Sequence, residues 1–175
     1  YIAFLDSDDL WLHEKLEKQL IFLKKSSWDT VHSRAVTIDQ NGRYIGPLKN
    51  HRIYKKVRYF LGSKNSLLLS NFILINSVLM KNNFSLRFRQ EDTFASVEDW
   101  GFWLEYLSEG RKIYLVNEPL VKYRLVKNSL SNRLSTRQQE RGLHLMDALF
   151  FEGKISLYQK FLAQALLKLR ITLKK

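Results

Sequence analysis

At 175 residues, 45% of them hydrophobic, the chain has apolar material for one core and no run near the roughly 18 apolar residues of a membrane span. Zero cysteines exclude disulfides and thiolate metal centres, which suits a reducing cytoplasm. The net charge of +12 is uneven: ten Lys or Arg and no acid lie between Gln40 and Gln90, and the tail from Arg137 is also basic, a field that favours anionic partners.

Tyr1-Ile2-Ala3-Phe4-Leu5 is a short, wholly apolar run and reads as a strand of a parallel sheet buried on both faces. Such a strand needs neighbours, so the chain is expected to be the C-terminal portion of a larger protein, with at least one βα layer ahead of it. Leucines 12, 16, 20 and 23 recur at helical spacing and predict a helix from Leu10 to Lys25. Asp29 to Asp39 reads as a strand. The turn Gln40-Asn41-Gly42-Arg43 follows, and Arg43 to Gly46 returns as its hairpin partner. Tyr54 to Leu61 is a basic, aromatic helix candidate, Ser77 to Lys81 a strand, and Asn82 to Phe94 a loop. Ser96-Val97-Glu98-Asp99 opens an aromatic helix that stops at Gly110. Lys112 to Val116 and Val121 to Leu125 are two short strands around Glu118-Pro119. Helix follows from Ser135, broken once at Gly153. The pattern is α/β, with a helical tail.

Two acid groups carry the chemistry. Asp6-Ser7-Asp8-Asp9 ends the first strand, where ligands of open α/β sheets bind. N-capping explains one or two of these acids but not Asp6, and hard oxygen ligands select Mg2+ or Mn2+. Glu98 and Asp99 read locally as a capping box, or as a general base turned into a cleft, and nothing nearby decides between them. Leu143, Met146, Leu149 and Phe150 form one apolar stripe in the tail, which suits packing. Ile155, Tyr158, Leu162, Leu166, Leu169 and Leu173 form a second, interleaved with bases, that suits either packing or an anionic bilayer. The four histidines show no metal-ligand spacing and read as structural, and no nucleic-acid-binding pattern accompanies the basic stretch.

Together these residues resemble a known family. Tyr1 to Trp11 with its three acids is similar to the DXD region of family 2 glycosyltransferases with the GT-A fold. Val97 to Leu104 resembles that family's Glu-Asp pair opening an aromatic helix. Tyr123 to Ser131 resembles its Tyr-Arg-x-His-x-x-Ser-x-Ser segment, with Val126 where the family commonly has His and His13 where Pro is usual. The resemblance covers most of Tyr1 to Ser131.

The resemblance implies a partial GT-A domain over residues 1–134, while residues 135–175, whose tail beyond Arg137 lies outside the match, read from their own pattern as a basic amphipathic helical tail. It implies an inverting, metal-assisted glycosyltransferase using a nucleotide-sugar donor, with UDP expected, and a glycan or glycolipid acceptor on a surface polysaccharide. Asp8 and Asp6 would bind Mn2+ or Mg2+ and the donor, with Asp8 the direct metal ligand and Asp6 toward the ribose. Asp99 would be the general base, and Glu98 and Trp100 would contact the acceptor. The family's first nucleotide contacts precede this stretch, so the chain by itself is expected to be inactive. The alternative is a non-catalytic remnant with a basic membrane- or glycan-binding surface. The expected location is cytoplasmic, with peripheral contact at the inner membrane face left open and no nucleic-acid partner.

Overall fold

A computed structural model describes residues 1–48, 64–126 and 135–172. The helix expected at Tyr54 to Leu61 lies outside them. The chain divides into two compact units: Tyr1–Lys56, Phe72–Phe84 and Arg111–Lys127 form the first, and Val57–Asn71, Ser85–Gly110 and Asn128–Lys175 the second.

The first unit is a six-stranded sheet with one helix. Its strands are β1 (Ile2–Ala3), β2 (Leu10–Trp11), β3 (Thr30–Ile38), β4 (Tyr44–Pro47), β5 (Val78–Met80) and β6 (Ile113–Arg124). They run in the order β1-β5-β3-β6-β2, with β4 beside β3. β3 and β6 pair in parallel at the centre, and every other pair is antiparallel. Helix α1 (Lys15–Lys25) sets Leu20 and Leu23 against Val31, Leu79, Val116 and Leu120. Leu23 is fully buried, so Leu23→Ala is expected to cost about 2–5 kcal/mol, read by denaturant unfolding.

Three sequence expectations change here. The opening strand is neither parallel nor buried on both faces. It is two residues long, pairs antiparallel with β5, and leaves Tyr1 60% and Leu5 50% exposed. An apolar run has the same composition whether one neighbour or two flank it. The first helix starts at Lys15 and not Leu10, because Leu10 and Trp11 pair with Lys122 and Val121 of β6, and the Trp11 indole donates to the Asn76 carbonyl. Tertiary hydrogen bonds override the leucine spacing there. The two strands expected around Glu118-Pro119 are one. β6 runs through, and its register against β3 slips on both sides of Pro119. Proline has no N–H to give a ladder, and a bulge is where a strand tolerates it.

The hairpin after β3 forms as expected. Asp39 accepts from the amides of Asn41 and Arg43 through its carboxylate, and Gly42 takes a left-handed φ of 82°.

The second unit is built on α2 (Glu98–Ser108), α3 (Ser135–Phe151) and α4 (Leu157–Thr172), with a helical segment at 64–69 and a 3-10 turn at Asp92–Phe94. Phe102, Trp103 and Tyr106 of α2 are buried, and Phe88 stacks on Phe102 at 4.7 Å. Gly142 lets α3 approach closely. A Cβ there would lie 3.0 Å from the Trp100 ring and 3.3 Å from Leu167. Gly142→Val is therefore expected to destabilise by about 1–3 kcal/mol, read as a lowered melting temperature. Leu145, Met146 and Leu149 of α3 are buried, which accounts for the first tail stripe by packing. Among the described residues, no helix is long and apolar enough to cross a membrane.

Candidate active site

The acidic loop belongs to the first unit and the Glu98-Asp99 pair to the second. In the loop, Asp6 and Asp8 are exposed while Asp9 is buried. Although Asp6 is exposed, partial loss of water around its carboxyl, then the Asp8 charge beside it, raises its pKa above the usual carboxylate value. Asp6 and Asp8 are the residues of this loop that would hold a divalent ion through hard oxygen ligands. Among the described residues, no group of three or more acids and histidines is arranged to hold a metal ion.

Asp9 has a different task. One carboxylate oxygen accepts the Arg124 amide at 2.7 Å, and the other accepts the Asn76 side-chain amide. Burial pushes its pKa up to about 6 against those two hydrogen bonds. Asp9 ties the loop to β6 and to the chain before β5.

Arg124 completes the tie. Its Nε donates to the Asp8 carbonyl at 2.6 Å, and its Nη1 donates to the carbonyls of Asp39 at 3.0 Å and Gln40 at 3.1 Å. One planar side chain thus fixes the main chain that presents Asp8 and clamps it to the β3–β4 hairpin. Sequence reasoning gave Arg124 no role of its own and Asp9 only a place in the acidic cluster, as a candidate N-cap of the first helix. The one available signal is that Tyr123-Arg124 falls in the third resembling segment.

Lys15, the first residue of α1, is fully buried. Its Nζ donates to the Val78 carbonyl at 3.1 Å and sits 4.2 Å from the Trp11 ring centre. Among the described residues no carboxylate pairs with it, and burial pushes its pKa down to about 7. Between about pH 7 and 10.5 the unfolded chain therefore binds more protons than the folded one, so this group adds stability as pH rises through that window. Lys15→Met is expected to stabilise by roughly 1–2 kcal/mol at pH 6 and by less at pH 9. Urea unfolding at both pH values checks this, and destabilisation at pH 6 would contradict it.

In the second unit, Asp99 sits in the first turn of α2 and is half-buried. Its Oδ2 accepts from the Asn71 side chain at 2.8 Å and its Oδ1 from the Trp100 amide at 2.7 Å. Burial is the main cause that raises its pKa to about 6, with Glu98 adding to the rise and the two hydrogen bonds opposing it. A carboxylate held near the working pH is suited to general-base chemistry.

The capping box expected at Ser96 does not form. The N-cap position is Val97, without a side-chain cap. Ser96 instead takes a left-handed φ of 66°, a strained conformation for a non-glycine residue. Helix α3 holds that turn in place: Gln138 donates to the Ser96 carbonyl and Arg141 to the Ala95 carbonyl, each at 2.9 Å. The Ser96 hydroxyl and Glu98 Oε2 are buried atoms without a hydrogen-bond partner among the described residues. Trp100 is 5% exposed and donates its indole N–H to the Leu67 carbonyl at 2.6 Å. In the same unit an open cavity of about 430 Å³ is lined by Asp92, Thr93, Arg137, Glu140, Arg141 and His144.

No family model matches the chain. It is 33% identical over 137 residues to the putative teichuronic acid biosynthesis glycosyltransferase TuaG of Bacillus subtilis, a match covering 75% of this chain and 49% of that protein.

This match makes the chain a partial, family 2-like glycosyltransferase.

Two other relatives of this glycosyltransferase chain agree. One is the Escherichia coli UDP-Glc:alpha-D-GlcNAc-diphosphoundecaprenol beta-1,3-glucosyltransferase WfgD, 29% identical over 75% of this chain and 48% of that protein. Another is an uncharacterized glycosyltransferase of Methanocaldococcus jannaschii, 27% identical over 71% and 42%. The chain spans about half the length of the curated relatives it matches. Its mixed α/β fold is that of a partial GT-A-like domain.

Proposed function

We propose that this chain supplies the acceptor-side base and the metal-binding acids of an inverting glycosyltransferase, which moves a sugar from a nucleotide-diphosphate donor to a hydroxyl of a surface glycan. The observation that carries the reading is Asp99, a carboxylate raised to about 6 and fixed by Asn71 and the Trp100 amide beside a strained turn.

Asp99 takes the proton of the acceptor hydroxyl as that oxygen attacks the anomeric carbon. The new carbon–oxygen bond forms on the face opposite the departing nucleoside diphosphate, so the configuration inverts. Glu98, whose Oε2 has no partner among the described residues, hydrogen-bonds and orients the acceptor. Trp100, expected to contact the acceptor, is instead buried with its indole N–H on the Leu67 carbonyl and backs the first turn of α2 from within. The cavity lined by Arg137, Glu140 and Arg141 suits a hydroxyl-rich, charged glycan.

Asp8 would hold Mn2+ or Mg2+, and Asp6 would face the donor ribose; the ion would supply charge stabilisation to the leaving diphosphate. The UDP donor and the lipid-linked acceptor follow the printed name of WfgD, and a place at the inner membrane face is proposed because a lipid-linked acceptor lies at a bilayer. Titration of Mn2+ with UDP into the full-length protein tests the acids. Asp8→Ala is expected to weaken the metal at least as much as the roughly 10- to 100-fold of losing an outer partner. Unchanged affinity would favour a non-catalytic remnant.

A further inference from the structure

Helix α4 is apolar on two opposite sides. Ala163 and Leu167 are buried. On the other side Tyr158 is 75%, Phe161 60%, Leu169 54% and Leu157 51% exposed, with Leu162 also exposed. At 100° per residue these five span an arc of about 140°, so they form one contiguous face. Packing within the second unit therefore accounts for the buried side of the helix and leaves Tyr158, Leu162 and Leu169 of the second tail stripe uncovered. An apolar face of this kind marks an interaction surface.

Charge identifies the partner. From Gly153 to Lys175 there is no acid, against six Lys or Arg. Lys160 is engaged with Asp147 at 2.7 Å, but Lys168 is exposed within the apolar arc itself. A second copy meeting this face across a two-fold axis would bring like charges together. An anionic bilayer takes both features at once, with the apolar side chains in the acyl boundary and the cations among the headgroups.

We infer that α4 is an in-plane membrane anchor that docks the protein on anionic lipid through Leu157, Tyr158, Phe161, Leu162 and Leu169. This names the surface for the membrane placement proposed above. It rests on α4 alone, so vesicle binding and glycosyl transfer can fail separately.

The test is flotation of the full-length protein with vesicles of phosphatidylcholine, with and without phosphatidylglycerol. The expected result is binding to the mixed vesicles, weak binding to the neutral ones, and release by salt. Phe161→Glu is expected to weaken binding by about tenfold or more, and Lys168→Glu with Arg170→Glu to remove the preference for phosphatidylglycerol. Phe161 is exposed, so its variant should melt with the wild type. Absence of wild-type binding, or Phe161→Glu binding equally well, would overturn the inference. So would a dimer that Phe161→Glu dissociates in a protein that ignores vesicles.

Discussion

Asp99→Asn in the full-length protein is expected to lower the rate of sugar transfer by roughly 10²- to 10⁴-fold while leaving donor affinity unchanged. The substitution preserves shape and removes the ability to take a proton. The Asp99 carboxyl is raised to about 6 and, as the proposed base, must be ionised to act, so the wild-type rate should rise with pH through about 6 and level off above it. The stability consequence has the opposite sign. A folded pKa above the ordinary carboxylate value of 3.8 means the folded state holds the proton more tightly, so Asp99 makes the protein less stable as pH rises from about 4 to 6. The Asn71 hydrogen bond favours the ionised form, so Asn71→Ala should move the acidic limb of the rate profile to higher pH. A limb that stays in place, or Asp99→Asn with retained turnover, would remove Asp99 as the base.

Arg124→Ala is the second large effect. It deletes three charge-assisted hydrogen bonds to main-chain carbonyls in the acidic loop and the neighbouring hairpin. The guanidinium is partly exposed, so the cost in stability is about 2–4 kcal/mol, below the full sum for three such bonds. The loop that presents Asp8 then loses its clamp, and Mn2+ affinity should fall with it. Arg124→Lys should recover little of either, because a point-like ammonium cannot span two segments as a planar fork does. Metal affinity and the melting temperature, measured on both variants, check this. A large loss of stability with wild-type Mn2+ affinity would restrict Arg124 to the fold.

The contrast between Asp99 and Arg124 shows what a sequence exposes. The Glu98-Asp99 pair opens a dense aromatic helix, and the acidic run follows an apolar strand. Each is a local pattern, legible without coordinates. The same holds for β3, the Gly42 turn and the break at Gly153. The hydrogen bond from the Arg124 amide to Asp9 spans 115 positions, and the indole bond from Trp11 to Asn76 spans 65. No periodicity reports such partners. They help fix Leu10 and Trp11 as strand and Asp9 as structural, while the equally distant parallel pairing with β3 carries β6 on past Pro119. Ser96 is a subtler case: a Ser three residues before an acid looks like a cap, and only its positive φ reveals a strained turn. For the second tail stripe, the amphipathic pattern was readable, but which side is covered follows from packing.

The most direct measurement is release of UDP from UDP-sugars by the full-length protein, in the presence of a lipid-linked glycan acceptor, before and after chelation of divalent ions. The account expects acceptor-dependent release matched by sugar incorporation, abolished by the chelator and restored by Mn2+. Release indifferent to the chelator, or no release with any donor, would contradict it.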